Sequence, residues 1–356
     1  MSTVSPDFNR LVTTLEHREP DRVPLVEAII SWEIMSQFLG RPVNDDDLPA
    51  QVEFWSRAGY DFIPISVSML NPGGVTKDSH IAKVISRVML DEEGDAEEGW
   101  NLEKRSWIHD ERDFERFPWD EASTLGFDKF YEVQKYLPAG MKIVALSGKI
   151  FTLSWLLMGF ENFCANIHLK PNLVAGLVER VAQIQFDAVT RIEKIPNVAA
   201  VWAVDDIAFG TGPILSPRTF RQYVFPWYKE MSRRCHDAGL YFFFHSDGVL
   251  WDMMDDLLDI GIDALHPIDP TCVDINEAKA RIGDRVTLFG NISNEILQSG
   301  TPEEVAALTR KRLREIAPGG GYALGSGNSV PDWAQFENYM AMRNTVLESG
   351  HYPIRA

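Results

Sequence analysis

A histidine and an aspartate, two positions apart at the end of an apolar segment, are the strongest chemical signal in this sequence. The segment reads LYFFFHSDG over positions 240–248 and contains His245 and Asp247. Side chains two positions apart on an extended strand point to the same side. An imidazole and a carboxylate in that arrangement can bind one cation or hydrogen-bond one substrate. The alternative makes Ser246 or Asp247 a helix cap and His245 a buried core residue.

Two adjacent acids, Asp205 and Asp206, follow a second apolar segment, AAVWAV at 199–204. Neighbouring carboxylates repel each other unless a cation, a hydrogen-bond donor or a shared proton relieves the repulsion. One of the two can cap a helix while the other faces a cavity. The sequence favours a functional site here and leaves open which acid faces it.

A third carboxylate, Glu27, interrupts the apolar segment VPLVEAII at 23–30. A buried carboxylate needs a partner. A metal, an arginine or a substrate hydroxyl would serve, and so would a salt bridge at the strand end. Near the other end of the chain, Ser326 and Asn328 lie among glycines that allow the backbone to approach a ligand closely. These three residues are therefore predicted to contact substrate, and Glu27 is also a weak metal-ligand candidate.

Eight short apolar segments must position these residues, and amphipathic helical stretches separate them. The alternation predicts parallel strands with helical crossovers, and hence a single (β/α)₈ TIM barrel spanning residues 1–356. An N-terminal helical extension precedes the barrel, and the acidic segment 91–98 predicts an inserted β-hairpin. The predicted strands cover Val23–Ala28, Phe62–Val67, Lys142–Leu146, Ala199–Val204, Leu240–Phe244, Ala264–Ile268, Val286–Phe289 and Tyr322–Leu324.

Nearly every predicted strand ends in a polar residue. In a barrel these strand ends meet at one face, where the loops build the active site. Any one of them could be structural, but their convergence predicts a functional face. The residues are Glu27, Ser68, Ser147, Asp205, Asp206, His245, Asp247, His266, Asp269, Asn291, Ser326 and Asn328.

The composition excludes several classes of function. The 356 residues include 34 basic and 52 acidic side chains, giving a formal net charge of −18. Such a chain repels nucleic acid and anionic lipid, and it has no long apolar segment, so neither nucleic acid nor a membrane is expected as partner. The three cysteines form no CxxC pair and suggest a cytoplasmic protein. No P-loop, GxSxG or HExxH motif occurs.

The sequence resembles the uroporphyrinogen decarboxylase superfamily, which also contains the cobalamin-dependent methyltransferases. The resemblance extends from about Leu11 to Leu347 and implies a (β/α)₈ barrel. The segments that carry it read GKIFTLSWLLMG, DDIAFGTGPILSPRTFRQYVFPWYKEM, FHSDGVLWDMMDDLLDIGIDALHPID, VTLFGNISNEIL and LGSGNSVPDWAQFENYMAM.

The decarboxylase branch fits poorly. Its arginine-containing Arg-Gln-Ala-Gly-Arg segment corresponds to LVEAIISWE, which has no arginine. The family's catalytic aspartate falls on Ser68, its active-site tyrosine on Leu156, and its C-terminal histidine on Ser326. A substrate with eight carboxylates needs cationic partners, and these positions do not provide them.

The methyltransferase branch fits better but with substitutions. Its members bind zinc through His-x-Cys on the fifth strand end and a cysteine on the eighth. This sequence keeps the histidine as His245 and has Asp247 and Ser326 at the cysteine positions. The metal is then either lost or held by harder ligands drawn from His245, Asp247, Asp206 and Glu27. Oxygen and nitrogen ligands leave a cation more electrophilic than thiolates do, which favours cleavage of a methyl ether.

We therefore expect a corrinoid-dependent methyltransferase that removes the methyl group from a small methylated substrate, with an aromatic methyl ether as the expected class. His245 and Asp247, with Asp206, would hold Zn²⁺ or protonate the leaving oxygen. Asn291, Ser326 and Asn328 would orient the substrate. The aromatic residues expected to line the pocket are Trp32, Phe151, Trp155, Trp202 and Phe209.

The chain lacks the Asp-x-His-x-x-Gly cobalamin motif, so a separate corrinoid protein is the expected partner. One alternative is methyl transfer from that corrinoid to tetrahydrofolate, for which Asp205, Asp206 and Asn291 could contact the pterin. The other is a barrel that only binds a ligand or the corrinoid protein. Barrels of this type often dimerise, and an aromatic content of 11% is compatible with a homodimer.

Overall fold

A computed structural model describes residues 5–67 and 106–354 of the chain. Its central feature is a curled sheet of seven parallel strands in the order β1-β2-β3-β6-β7-β8-β9. A short antiparallel hairpin, β4–β5, follows β3. The strands are β1 Phe62–Ser66, β2 Lys142–Ser147, β3 Val198–Val204, β4 Ala208–Phe209, β5 Gly212–Pro213, β6 Tyr241–His245, β7 Ala264–His266, β8 Thr287–Phe289 and β9 Tyr322–Ala323.

The first predicted strand occupies the eighth position of this sheet. Leu25 forms a parallel bridge with Leu324, directly after β9. The Val26 amide donates to the Leu324 carbonyl at 3.0 Å, and the Leu324 amide donates to the Pro24 carbonyl at 2.9 Å. The segment is a single bridge rather than the predicted regular strand, because Pro24 has no N–H to donate. The predicted α/β barrel architecture is confirmed.

An inner core fills the space that the curled sheet encloses. Its side chains come from all seven strands and from the segment 23–28, as expected for barrel strands that alternate between inward and outward positions. Phe8 and Leu11 add to this core, and the Phe8 amide donates to the Gly140 carbonyl just before β2. The N-terminal strand ends are thus covered. The strand residues are Val26, Ala28, Phe62, Val144, Leu146, Ala200, Trp202, Phe243, Ala264, Phe289 and Ala323.

Sixteen helices lie in the described ranges, and the first corresponds to the predicted N-terminal extension. None of these helices is long and apolar enough to cross a bilayer. The predicted hairpin at 91–98 and Ser68 lie outside the described residues. The helices are α1 Asn9–Leu15, α2 Trp32–Leu39, α3 Leu48–Arg57, α4 Glu111–Arg116, α5 Trp119–Ala122, α6 Asp128–Glu132, α7 Phe151–Met158, α8 Phe160–Leu169, α9 Pro171–Ile192, α10 Pro217–Tyr223, α11 Phe225–Asp237, α12 Met254–Ile260, α13 Ile275–Ile282, α14 Asn294–Ser299, α15 Pro302–Ile316 and α16 Phe336–Ser349.

Candidate functional site

Parallel pairing of β3 with β6 brings the two strongest sequence signals together. Val204 lies opposite His245, and the Asp205 amide donates to the His245 carbonyl at 3.0 Å. Both strands therefore end at the same level, with Asp206 and Asp247 in the loops that follow. This is the carboxyl end of the sheet, where barrel enzymes place their active sites.

Asp206, His245 and Asp247 form a cluster at this end of the sheet. His245 Nε2 lies 3.6 Å from Asp206 Oδ1 and 4.0 Å from Asp247 Oδ1. One ligand atom from each residue falls within 4.8 Å of the other two. The His245 ring is buried, whereas the Asp206 side chain is 53% exposed. A ligand would therefore approach the cluster from the Asp206 side.

Asp247 has one occupied and one unoccupied carboxylate oxygen. Oδ2 accepts a hydrogen bond of 2.5 Å from Asn328 Nδ2. Oδ1, on the His245 side, is buried and has no hydrogen-bond partner among the described residues. Burial raises the pKa of Asp247 to about 6; His245 and Asn328 lower this pKa, while Asp206 and Asp269 raise it. A buried oxygen without a partner calls for a ligand, and a cation or a substrate donor would satisfy it.

The donor set of this cluster fits a divalent cation. One imidazole nitrogen and two carboxylate oxygens are ligands that Zn²⁺ accepts, and catalytic zinc sites use three protein ligands with one position left open. The unpartnered Oδ1 of Asp247 and the exposed Asp206 match that pattern. The Asp206, His245 and Asp247 side chains would hold the ion.

Glu27 lies outside this cluster, although it was predicted as a weak metal ligand. It is fully buried, and both of its oxygens are occupied by Ser326, whose amide donates to Oε1 and whose hydroxyl donates to Oε2, each at 2.6 Å. Burial raises the pKa of Glu27 to about 8, and the two Ser326 hydrogen bonds oppose this increase. Both residues are fully buried, so neither faces a substrate cavity in this structure.

The structure divides the adjacent acids Asp205 and Asp206 between two roles. The buried Asp205 carboxylate accepts hydrogen bonds from the backbone amides of Ile150, Phe151 and Thr152, at 3.0, 2.6 and 2.8 Å. The Tyr228 hydroxyl also donates to it. Burial raises the pKa of Asp205, and these donors oppose that increase. Asp205, predicted to bind substrate, instead holds the start of α7, and Asp206 faces the site.

The predicted aromatic pocket is dispersed. Trp202 is fully buried in the inner core, where its ring contacts His266 edge-on at 5.0 Å, instead of lining a cavity. Phe151 is also fully buried. Trp155 is partly buried, with its ring 5.6 Å from that of Phe160, and Trp32 is partly buried at the start of α2. Phe209 is 53% exposed, on the hairpin that follows Asp206.

A small apolar cavity of about 20 Å³ lies next to the cluster, between the β6 loop and the helices that follow it. Gly248 and Asp269 are at its edge, and the Gly248 amide donates to Asp269 Oδ2 at 3.1 Å. The cavity begins one residue after Asp247, and its volume is too small for an aromatic ring. Its apolar lining includes Leu250, Trp251, Met254, Leu265, Pro267 and Ile268.

Three further polar residues complete the surroundings of the cluster. Asn291 is buried and donates to the Ile268 carbonyl at 2.8 Å, while its Oδ1 has no partner in the described ranges. His266 Nδ1 lies 2.7 Å from His245 Nδ1. Hydrogen bonds, mainly from Thr271, hold the pKa of Asp269 below its ordinary value against the effect of burial. The sequence placed His266 and Asp269 at a strand end but gave them no role.

The chain is therefore an α/β barrel in which Asp206, His245 and Asp247 form a polar cluster at the carboxyl ends of the strands. The chain belongs to the uroporphyrinogen decarboxylase family, whose model, described as "Uroporphyrinogen decarboxylase (URO-D)", matches residues 108–349. The predicted family resemblance is thus confirmed.

Two curated relatives are both named uroporphyrinogen decarboxylase. The protein from Dechloromonas aromatica is 26% identical over 247 residues, which cover 64% of this chain and 65% of that protein. The protein from Herminiimonas arsenicoxydans is 24% identical over 237 residues, covering 62% and 63%. The chain therefore spans slightly less than two thirds of the length of these relatives.

A solved structure resembles nearly the whole chain. It is a methyltransferase from Methanosarcina mazei, with a TM-score of 0.66 and 16% sequence identity. The match covers 95% of this chain and 97% of the methyltransferase. This similarity confirms the barrel fold along the chain.

Proposed function

We propose that this chain is a cytoplasmic corrinoid-dependent methyltransferase that demethylates a small methylated substrate, with an aromatic methyl ether as the substrate class. The cob(I)alamin of a partner corrinoid protein supplies the nucleophile, which takes the methyl group as the methyl–oxygen bond breaks. The substrate leaves as an alcohol or phenol once its oxygen is protonated. The observation that carries this proposal is the Asp206, His245 and Asp247 cluster with its unpartnered, buried Asp247 oxygen.

The residues of the cluster can assist departure of the oxygen in two ways. With a pKa of about 6, Asp247 is protonated in a fraction of molecules near neutral pH and can donate that proton to the leaving oxygen. When Zn²⁺ is bound by Asp206, His245 and Asp247, it supplies Lewis-acid polarisation of the same oxygen.

The charge at the carboxyl ends of the strands argues against a polycarboxylate substrate. In the described loops that follow the strands, Lys149 is the single basic residue, whereas Asp206, Asp247 and Asp269 are acidic. Binding several carboxylates requires several cationic side chains. A small, uncharged methyl donor avoids this repulsion, which supports demethylation over decarboxylation for this member of the family.

Anaerobic spectroscopy tests the proposal. Cob(I)alamin would be mixed with the full chain and each of a panel of methoxyaromatics, and zinc would be assayed in the same sample. We expect conversion to methylcobalamin with at least one ether and loss of this activity in Asp206→Asn. Asp113→Asn, on α4, is the matched control and should retain the activity.

Three outcomes would overturn the proposal. Absence of conversion with every ether, combined with consumption of methylcobalamin when tetrahydrofolate is added, would favour methyl transfer to folate. Release of CO₂ from uroporphyrinogen would favour decarboxylation. Ligand binding without any turnover would favour the barrel that only binds.

A further inference from the structure

One buried hydroxyl group, that of Ser246, joins the two loops that carry Asp206 and Asp247. Ser246 lies between His245 and Asp247 in the chain and is fully buried. Its Oγ accepts a hydrogen bond of 3.0 Å from the Ile207 amide and donates one of 2.9 Å to the Asp247 carbonyl. Because Ile207 directly follows Asp206, the hydroxyl contacts the backbone beside both carboxylates.

This use of the hydroxyl differs from the helix cap that the sequence left open. The next helical turn begins only at Trp251, and its N-cap, Leu250, makes no side-chain hydrogen bond to it. A serine hydroxyl has one hydrogen to donate and can also accept. The Ser246 hydroxyl uses both capacities to connect the loop after β3 with the loop after β6.

The backbone on both sides of the Ser246 side chain is also held in place. The Ser246 amide donates to the His266 carbonyl at 2.9 Å, and the Asp247 amide donates to Asp206 Oδ1 at 3.1 Å. Breaking buried hydrogen bonds is costly because their groups are left without partners. The path of the chain from His245 to Asp247 is therefore set by contacts to two neighbouring strand ends.

The resulting separations are close to those that a zinc ion requires. In a tetrahedral site with bonds of about 2.1 Å, the ligand atoms lie about 3.4 Å apart. His245 Nε2 lies 3.6 Å from Asp206 Oδ1 and 4.0 Å from Asp247 Oδ1. Small movements would bring the three side chains onto one ion. Such preorganisation raises affinity because less ordering is required on binding.

We propose that Ser246 is a positioning residue whose hydroxyl sets the spacing between the Asp206 and Asp247 side chains and so preorganises the cluster for a divalent cation. This inference rests on the proposed function, in which the cluster holds Zn²⁺, and deepens it by adding a residue that supports the site from outside the ligand set. Groups that orient metal ligands in this way strongly affect metal affinity.

Removal of the hydroxyl tests this role without a catalytic assay. Zn²⁺ affinity, measured by calorimetry on the full chain, should fall about 10- to 100-fold in Ser246→Ala. Ser232→Ala is the matched control, because Ser232 on α11 is also fully buried and its hydroxyl donates to the Gly261 carbonyl at 2.8 Å. We expect both variants to unfold at a lower urea concentration than the wild-type chain, and only Ser246→Ala to lose Zn²⁺ affinity.

Cobalt binding gives a separate readout of the geometry of the site. The visible absorption of Co²⁺ is much stronger in a four-coordinate site than in a six-coordinate one. We expect a strong band in the wild-type chain and in Ser232→Ala. At saturating Co²⁺ the band should be weaker in Ser246→Ala, because a wider spacing of the carboxylates admits additional water ligands. A loss of stability alone would not change this band.

The results separate this inference from the proposed function. An unchanged Zn²⁺ affinity and cobalt band in Ser246→Ala would overturn the inference, and so would equal losses in Ser246→Ala and Ser232→Ala. Methyl transfer by the wild-type chain would leave the proposed function standing in either case. The expected losses without methyl transfer would contradict the proposed function and support the role of Ser246. Absence of Zn²⁺ binding by the wild-type chain would overturn the inference.

Discussion

Asn328 donates a hydrogen bond of 2.5 Å to Asp247 across a separation of 81 positions in the chain. The contact joins the loop after β9 to the end of β6. It occupies Oδ2 of Asp247, while Oδ1 lies 4.0 Å from His245 Nε2. The geometry of the cluster therefore depends on a residue that is outside it.

Replacing Asn328 with alanine should raise the pKa of Asp247 above about 6. The Asn328 hydrogen bond stabilises the carboxylate and lowers this pKa, so its removal favours the protonated form. The pKa would be measured from the carboxyl resonance of ¹³C-labelled aspartate. Zn²⁺ binding should weaken at pH 7 and recover toward pH 8, where Asp247 is ionised again. Asn328→Ser retains a short hydrogen-bond donor, so the pKa of Asp247 should rise less in this variant than in Asn328→Ala. An unchanged or lowered Asp247 pKa in Asn328→Ala would contradict the prediction.

The adjacent acids provide a matched pair of variants with opposite expected effects. Asp205→Ala removes the carboxylate that accepts from three backbone amides at the start of α7, so we expect a loss of about 3–5 kcal/mol in the free energy of unfolding. Asp206→Ala removes a largely exposed side chain and should cost less than about 1 kcal/mol, while abolishing metal binding. Urea unfolding and calorimetry check both. Similar stability losses in the two variants would contradict the division of roles.

The titration of Glu27 should lower the free energy of unfolding as the pH rises from about 4.5 to 8. Its pKa is about 8 when folded against 4.5 as the ordinary value, so the folded chain binds more protons across this interval. Its contribution is fully present below pH 4.5 and is lost through pH 8. Glu27→Gln does not titrate, so its stability relative to wild type should increase over the interval by up to about 5 kcal/mol.

The control for that experiment is Glu33→Gln, which changes an exposed residue on α2. Its stability relative to wild type should not vary with pH. Urea unfolding at several pH values gives the comparison. A relative stability of Glu27→Gln that stays flat from pH 5 to 8 would mean that the buried carboxyl group titrates normally.

Gly248 is required by the close approach of the hairpin that follows β3. Its φ is +88°, and a Cβ there would lie 2.5 Å from the Phe209 carbonyl oxygen. Gly248→Ala must displace the hairpin, so we expect a loss of about 3 kcal/mol in the free energy of unfolding, together with weaker Zn²⁺ binding at Asp247. Gly239→Ala, at φ +75° with no neighbour within 4 Å, should lose only about 1 kcal/mol. Equal losses of unfolding free energy in Gly248→Ala and Gly239→Ala would contradict a steric requirement for Gly248.

The architecture could be predicted because strands that are buried on both faces appear in the sequence as continuous apolar segments. Seven of the eight predicted segments are regular strands, and the eighth pairs beside β9 through Leu25. The deviation at this segment comes from Pro24, whose missing N–H was visible in the sequence. The proximity of Asp206 to His245 also followed from the sequence, because parallel strands end at one face.

What the sequence could not provide was the direction of individual side chains. The sequence does not distinguish the adjacent acids Asp205 and Asp206. The fold shows that the Asp205 side chain points to the start of α7. Trp202 was expected to line the pocket as an aromatic residue, but its side chain in β3 points into the inner core. The contact of Glu27 with Ser326 joins residues 299 positions apart, and no local pattern encodes such a pair.

That separation also affects how the chain is made. The ribosome makes Glu27 early and Ser326 only 299 residues later. Through most of synthesis the Glu27 carboxyl group therefore lacks the amide and hydroxyl that donate to it in the folded chain. Bringing such distant positions together carries a large loop-closure cost and slows folding. In the nascent chain the 23–28 segment consequently stays unpaired until Leu324 has been made, and a chaperone would have most to protect in that interval.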